Sequence, residues 1–366
     1  MSSRAAQSHN ARDTHVHGLY KGLGQLHPSE ILWRDRYVYL LEHGYKLRPR
    51  YHPQWRPSWL GTDIPADCCE DFVMVLEDIV LDATQIKTNH RVSIKVVSVA
   101  SDEVKIGRLL SSREPRNPNN HCVPVLDVLP DPLSSSQALL IMPFLRSFND
   151  PPFEVIDEVV DFVRQTLEGL CFIHNQGVAH RDCATRNIMM DGRPLFPEDH
   201  HPVNTQCGLD GTHYARQLSR FENPVKYYFI DFGMSSYFRE GDSPYVLGAK
   251  GADQTAPELS NQIPYNAYML DVYILGHLYE TAFLQIYLGL DFLQPLIFAM
   301  TDRQPERRPS AEAALRMFYD IRRSLNPSLL RWRLRKRNES VPERVVYDTV
   351  SAAKVGFNIV SHITNR

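Results

Sequence analysis

The sequence has no glycine between Gly61 and Gly107. Backbone amides approach a phosphate closely only where no side chain intrudes, so this stretch cannot form a glycine-rich phosphate-binding loop. The six cysteines form no CxxC pair and show no zinc-ligand spacing. They therefore predict reduced thiols in an intracellular protein, either cytoplasmic or nuclear. The first residues are polar and lack the apolar core of a signal peptide, in line with that expectation.

An excess of positive charge and a long uninterrupted apolar run are also missing. The formal net charge is −3, which argues against a general nucleic-acid binder. Trp55 and Trp59 alternate with arginines in a proline-rich stretch, a pattern that could stack on bases, but packing as a strap along the folded body is the preferred interpretation. Polar residues interrupt the most apolar region, 268–300, and predict buried helices rather than a membrane span. We therefore expect neither a nucleic-acid nor a membrane partner.

With 366 residues, 43% of them hydrophobic, the chain can bury a large core. Its size fits one two-lobed domain or two small domains. Residues 1–27 are polar and without periodicity, which predicts a disordered tail. Residues 28–69 begin with a helix that starts at Pro28, with Ser29 as its expected N-cap and Gly44 at its end.

Later segments predict a β-rich half followed by a helical half. Runs rich in Val and Ile over 71–99 and 122–145 predict strands. Apolar residues three and four positions apart over 154–177 predict a long helix. The polar insertion 191–224 separates two short strands, and we expect it to be mobile and dispensable for folding.

Two stretches contain the residues of a candidate catalytic site: GVAHRDCATRN, which ends at Asn187, and YFIDFG, which contains Asp231. Phosphoryl transfer needs a carboxylate to orient the attacking hydroxyl and oxygen ligands to hold Mg²⁺ against the phosphates. Asp182 is the candidate for the first role, and Asn187 and Asp231 for the second. The stretches match the known protein-kinase motifs HRD, with its Asn five residues later, and DFG, and the roles are taken from that pattern.

A third part of the candidate site lies upstream. Lys95 occurs in the strand-like sequence VSIK, where a lysine would point at the α- and β-phosphates. Glu103 follows eight residues later in a predicted short helix, DEVKIGRLL. An opposed carboxylate would hold the flexible ammonium of Lys95 in place.

These motifs lead to a family resemblance over about residues 28–335. The chain resembles eukaryotic protein kinases and, more narrowly, kinase-like proteins of mushroom-forming (basidiomycete) fungi. The shared phrases are GYKLRPRYHPQWRPSW, NHCVPVLDVL, VAHRDCATRNIMMD, YYFIDFGMSS and DRQPERRPSAEAAL. The resemblance implies an α+β, two-lobed fold, with a small β-rich N-lobe at 70–146, a larger helical C-lobe at 147–325 and a C-terminal extension at 326–366.

The resemblance also implies cofactors and further roles. ATP and Mg²⁺ would be the cofactors, and Met142 and Met189 would border the adenine. Glu258 of the APE sequence would pair with Arg308, and Asp271 would brace the catalytic loop. The acceptor would be a protein hydroxyl, and the loop leaves its type open because Ala184 and Arg186 resemble the tyrosine-kinase form of this sequence. The protein substrate or partner is not indicated.

Several departures from the family pattern affect the nucleotide site. The glycine-rich loop is missing, Ser93 replaces an alanine expected beside adenine, and Gly107 stands where a bulky apolar residue packs beneath Glu103. None of these changes touches the catalytic loop. Two hypotheses therefore stay open: a protein kinase with weak use of ATP, and a pseudokinase that acts as a scaffold or binding module.

Overall fold

The computed structural model describes residues 24–75, 79–112 and 117–349. Most of the predicted N-terminal tail and the last part of the C-terminal extension lie outside these residues. The chain divides into two compact units. The first comprises Met1–Ser101, Val125–Phe144 and Arg193–Leu218; the second comprises Asp102–Pro124, Leu145–Gly192 and Ser219–Arg366.

The first unit is built on a five-stranded antiparallel sheet with the order β1-β2-β3-β5-β4. The strands are β1 (Tyr45–Lys46), β2 (Val80–Gln85), β3 (His90–Ser98), β4 (Asp127–Pro130) and β5 (Gln137–Pro143). The runs rich in Val and Ile thus form strands as predicted, although 71–75 and Ile79 are not part of one and 76–78 lie outside the described residues. Alternate residues of β3, including Val92 and Ile94, are buried on one face, as expected of a half-buried strand.

Helix α1 (Pro28–Glu42) packs its apolar residues Trp33, Tyr37 and Leu40 into one core with the sheet. Its N-cap is His27 rather than the expected Ser29. The His27 imidazole accepts the Ser29 N–H at 3.4 Å, and Glu30 accepts the His27 N–H at 2.8 Å. A ring nitrogen thus provides the cap that sequence preferences assign to a hydroxyl. Gly44, with φ of 87°, follows the end of the helix as expected.

Two of the three arginines in the proline-rich stretch are buried in ion pairs, whereas Arg56 is exposed. Arg50 is fully buried and holds both carboxylate oxygens of Glu30, at 2.6 and 2.8 Å. Arg48 contacts Glu70 and Asp82, each at 3.2 Å. The stretch packs against its own unit, as the strap interpretation predicts, and these two arginines are used in the protein interior.

The connection between β1 and β2 is long. Residues 47–79 separate the two strands, and the described part of this range, 47–75 and Ile79, contains the short 3₁₀ turns Pro49–Tyr51, Ala66–Cys68 and Glu70–Phe72. A glycine-rich phosphate-binding loop is a tight turn between adjacent strands, and this connection is not of that kind. The structure therefore agrees with the missing glycines.

The expectation of a mobile insertion is wrong for much of its length. Residues Arg193–Leu218 group with the first unit. Leu195, Phe196 and His201 are buried, and His201 lies 3.3 Å from Glu70. The segment is polar in composition, yet Leu195, Phe196, His200 and His201 are buried, whereas Val203, Leu209 and Tyr214 are exposed. Composition alone does not show which of these side chains face inward.

The second unit consists mainly of helices: α2 (Glu103–Ser112), α3 (Ile156–Asn175), α4 (Ala267–Tyr279), α5 (Gln294–Met300), α6 (Ala311–Ser324) and α7 (Pro327–Leu330). Helix α3 is its centre, because fifteen of its twenty residues are buried and it packs against α4 and α6. Its bounds and those of α2 lie within two residues of the predicted helices. The π-helix Glu280–Leu284 extends α4.

Short strands complete the second unit, and some of them flank the turns of the candidate site. They are β6 (Arg146–Ser147), β7 (Val178–Ala179), β8 (Ile188–Met190), β9 (Tyr227–Phe229), β10 (Ser236–Tyr237), β11 (Tyr245–Gly248), β12 (Ser260–Asn266), β13 (Tyr287–Leu288) and β14 (Arg335–Lys336). Strands β6, β8 and β9 form one sheet; β7 pairs with β10, β11 with β12, and β13 with β14. The last pair ties the start of the C-terminal extension to this unit. Among the described residues, no helix combines the length and the apolar character needed to cross a bilayer.

Candidate active site

The loop after α3 is held by a buried carboxylate, that of Asp271 on α4. Its oxygens accept the backbone N–H groups of His180 at 2.8 Å and Arg181 at 2.6 Å, and it lies 3.0 Å from Nε2 of His174. Asp271 is fully buried, so these bonds are shielded from water. The expected bracing role of Asp271 is what the structure shows.

Two residues of the candidate site adopt left-handed backbone conformations. Arg181 has φ of 67° and Asp231 has φ of 61°. This region is unfavourable for residues other than glycine and is found at sites where the surroundings enforce it. Here the Asp271 bond fixes the Arg181 backbone, while Asp231 Oδ1 accepts the Gly233 N–H at 3.2 Å.

His180 supports the loop as a neutral imidazole. Its Nδ1 accepts the Asp182 N–H at 3.3 Å, so the proton is on Nε2, which donates to the Ile230 carbonyl at 3.0 Å. Burial lowers the pKa of His180 despite the nearby Asp271 carboxylate. The ring therefore links the loop to the β9 end without adding a charge.

The Asp182 carboxylate accepts three hydrogen bonds. Oδ1 accepts the Ala252 N–H at 2.8 Å, and Oδ2 accepts from Nδ2 of Asn187 at 2.8 Å and from Nη2 of Arg186 at 3.1 Å. Asp182 is buried. A carboxylate has about four lone-pair sites, so one more donor, such as an acceptor hydroxyl, can be accommodated.

Asn187 presents its amide oxygen away from Asp182. Both of its amide hydrogens are used, since Nδ2 donates to the backbone oxygen of Asp182 at 2.9 Å and to Oδ2 of the same residue. No donor to its Oδ1 is found in the described part of the chain. The backbone oxygen of Asn187 accepts the Ile230 N–H at 3.0 Å, so Asp231 follows directly on the neighbouring strand.

Glu103 on α2 belongs to the same unit and approaches this turn. A Cβ atom added to Gly233 would lie 3.0 Å from Oδ1 of Asp231 and 3.3 Å from Oε2 of Glu103. The missing side chain at Gly233 therefore lets two carboxylates come close to one point. Both residues carry carboxylate oxygens, the kind of ligand that hard cations prefer.

The remaining predicted residues lie on sheets of their own units. In the first unit, β3 pairs with β5 so that Ser93 faces Met142 and Lys95 faces Leu140, which places Lys95 and Met142 on one face of the sheet. In the second unit, Met189 on β8 lies opposite Tyr228. Met142 and Met189 are both half-buried.

The segment that follows Asp231 contacts the loop after α3 through the side chain of Arg181. Its Nη2 donates to the Leu247 carbonyl at 2.9 Å, and its Nη1 lies 3.3 Å from Oγ of Ser236. Farther along, Thr255 and His277 both contact Asp253, the latter at 2.6 Å. A cavity of about 370 Å³ is lined by this group together with Ala184, Thr185 and Arg186.

The sequence did not predict three features of the site. The contact of Ala252 with Asp182 is made by a main-chain N–H, which any residue type except proline could provide. The Asp253–His277 pair joins residues 24 positions apart that no motif connects. Burial of the Cys183 thiol raises its pKa well above the usual range, so this cysteine beside Asp182 is unsuited to act as a nucleophile.

Comparison with known proteins gives a distant similarity to a protein kinase. The chain is 25% identical over 203 residues to a probable serine/threonine-protein kinase of Dictyostelium discoideum. The match covers 55% of this chain and 28% of that protein, so the chain spans less than a third of its relative. No model of a known protein family matches the chain. The similarity supports a kinase-like relationship, and the mixed helix-and-sheet structure is compatible with an α+β kinase-like fold.

Proposed function

We propose that this protein is an ATP- and Mg²⁺-dependent protein kinase that phosphorylates a protein hydroxyl, with the first unit as its N-lobe and the second as its C-lobe. The observation that supports this proposal best is the arrangement around Asp182. One buried carboxylate is oriented by Asn187, Arg186 and Ala252 and retains one open acceptor site. The similarity to a probable serine/threonine-protein kinase points the same way.

The residues present fit a magnesium ion. Oδ1 of Asn187 points away from the Asp182 groups to which Nδ2 donates. The carboxylates of Asp231 and Glu103 both lie near Gly233. Amide and carboxylate oxygens are ligands that Mg²⁺ prefers. Asn187 and Asp231 would hold the ion, and bound Mg²⁺-ATP would supply the phosphoryl group with its charge partly neutralised.

The chain's own residues have distinct tasks in this proposal. Asp182 would accept a hydrogen bond from the acceptor hydroxyl and so orient its oxygen. Lys95 and Glu103 would contribute to nucleotide binding, and Met142 and Met189 would border the adenine; these four roles rest on the motif match. The cavity beside Arg186 would receive part of the acceptor protein.

A second candidate function is a pseudokinase that serves as a scaffold or binding module. The observation that favours it is the long connection between β1 and β2, residues 47–79, which has no glycine between Gly61 and β2. Without close backbone N–H groups, nucleotide affinity falls. We therefore expect a dissociation constant for Mg²⁺-ATP nearer 1 mM than 1 μM, about −4 to −8 kcal/mol.

Two substitutions separate the candidate functions. Asp182→Asn keeps the side-chain shape but removes the oriented carboxylate, so transfer to a mixed peptide library should be lost while Mg²⁺-ATP binding persists. Asp231→Asn removes a charge that faces the metal, so Mg²⁺-dependent binding should weaken by about tenfold or more. Calorimetry with and without Mg²⁺ measures binding, and labelled phosphate measures transfer.

The parent protein and a surface variant complete the experiment. Arg316→Ala, which changes an exposed ion pair on α6, should leave binding and transfer as in the parent. If the parent binds Mg²⁺-ATP but transfers no phosphate, the pseudokinase is supported. If it binds no nucleotide at about 10 mM, well above the expected dissociation constant, and both substitutions are silent, the kinase proposal is wrong.

A further inference from the structure

A second cavity in the second unit contains a buried arginine with unused donors. The cavity measures about 240 Å³ and lies beside the first turns of α3. Arg220, from the end of the insertion, lines it and is 7% exposed. Its Nη2 donates to the Pro151 carbonyl at 2.6 Å, and its guanidinium lies 4.2 Å from the centre of the Phe153 ring. Nε and Nη1 have no hydrogen-bond partner within the described ranges.

Such an arrangement needs an additional acceptor. Removing a guanidinium from water is costly unless its N–H groups find partners. A cation–π contact, the Pro151 carbonyl and a weak contact of Nη2 with Met190 Sδ at 3.7 Å satisfy only part of this requirement. A buried donor without a partner in an otherwise well-bonded protein indicates a bound water or ion.

The acidic residues of the cavity are engaged elsewhere. Asp161 accepts from Arg164 at 2.5 Å and from Gln165 at 2.7 Å, and Glu158 accepts the Glu154 N–H at 2.6 Å. Asp157 lies 3.8 Å from Arg322. In the described part of the chain, none of these carboxylates is hydrogen-bonded to Arg220. Glu158 and the Tyr227 hydroxyl attract the guanidinium, but neither provides a hydrogen-bond acceptor for Nε or Nη1.

The same residues restrict the charge of the acceptor. Three carboxylates and three guanidinium groups line the cavity: Asp157, Glu158, Asp161, Arg164, Arg220 and Arg322. These charges balance in number, so each negative charge brought into the cavity adds to a net negative charge, and a singly charged acceptor is disfavoured less than a doubly charged one. Burial raises the pKa of both Asp157 and Glu158, because removal from water disfavours their charged forms.

We propose that this cavity is a binding site for a carboxylate group, with Arg220 as the residue that recognises it. The site belongs to the second unit and includes none of Asp182, Asn187 and Asp231. The carboxylate could come from a free small acid or from an acidic side chain of a protein partner. Both sources present the same singly charged oxygen acceptors to Nε and Nη1. The site does not depend on the proposed kinase activity.

The test compares two arginines of the same cavity in the full chain. Sodium acetate at up to 100 mM, against sodium chloride of equal ionic strength, should raise the melting temperature of the parent by a few degrees. Arg220→Met should abolish the acetate-specific shift. Arg322→Met is the matched control, because its guanidinium is 39% exposed and faces Asp157, and it should retain the shift. Phosphate should stabilise less than acetate.

Two further measurements identify the source of the carboxylate and provide a test if Arg220→Met does not fold. A blocked peptide with one aspartate that acts like acetate, while its asparagine counterpart does not, supports a protein partner; acetate alone supports a free acid. If Arg220→Met does not fold, Arg220→Lys should still show a smaller shift, because it keeps the charge but not the N–H geometry. An acetate shift that is absent from the parent, or equal in the parent and the Arg220 variants, overturns the proposal and leaves water as the partner.

Discussion

Arg308 holds both carboxylate oxygens of Glu258, with Nη1–Oε1 at 2.5 Å and Nη2–Oε2 at 2.8 Å. The Arg308 side chain is fully buried and that of Glu258 is 8% exposed. Arg308 also donates to the carbonyls of Asp302 and Met269. The expected pairing of these two residues, 50 positions apart, is thus confirmed, and its burial makes it a structural element of the second unit.

The first prediction concerns this pair. Arg308→Ala leaves the Glu258 carboxylate buried without its partner, which should lower the free energy of unfolding by about 3–5 kcal/mol. Urea denaturation measures the change. Arg316→Ala, which breaks an exposed ion pair with Glu312, should cost less than about 1 kcal/mol. Equal stability of the two variants would contradict a structural role for the buried pair.

The second prediction concerns the insertion. Replacing 193–218 by a short Gly-Ser linker removes buried Leu195 and Phe196 together with the Glu70–His201 contact. Each buried apolar side chain contributes about 1.5–3 kcal/mol, so the melting temperature should fall by several degrees or the protein should aggregate. Tyr214→Ala, at a side chain 87% exposed, should be neutral. A linker variant as stable as the parent would show that the packing contributes little.

The third prediction concerns acid stability through Glu168 on α3. Burial alone would raise the pKa of Glu168, but contacts with His121, Tyr319 and Arg164 lower it from 4.5 to about 2. Because the folded pKa is the lower one, this stabilisation is present above about pH 4.5 and is lost as the pH falls towards 2, up to about 3 kcal/mol.

Glu168→Gln tests this linkage through denaturation curves between pH 2 and 6. The variant should be less stable than the parent at neutral pH, and the difference should shrink as the pH falls through this window. Glu312→Gln changes an exposed carboxylate and serves as the control. A pH-independent difference between Glu168→Gln and the parent would mean that the loss is one of packing rather than of charge.

The fourth prediction concerns close packing around α3. A Cβ atom on Gly169 would lie 2.6 Å from Cβ of His121 and 2.9 Å from Cε2 of Phe229. Alanine is the better helix former, yet this overlap should make Gly169→Ala destabilising by about 1–3 kcal/mol in thermal unfolding. Gly208→Ala meets its nearest neighbour at 3.8 Å and should be tolerated. A stabilised Gly169→Ala would show that the neighbours shift easily.

Much of the local structure follows from the sequence alone. Hydrophobic periodicity predicts α3, because a helix buries one face at a fixed spacing, and runs rich in Val and Ile predict the main strands. The motifs likewise give Asp182, Asn187 and Asp231 as candidates, since the residue types are dictated by the chemistry of metal and hydroxyl binding. The missing glycines predict that the connection before β2 is not a phosphate-binding turn.

Other features were decided only by tertiary structure. Composition does not specify which distant segments come into contact. The contact of Ala252 with Asp182 and the burial of the insertion depend on such contacts, and the His27 cap was likewise seen only in the structure. Arg220 is one arginine among many in the sequence. Only the folded chain shows that its guanidinium is buried beside a cavity with two donors unused, because burial and hydrogen-bond geometry are properties of the packed molecule.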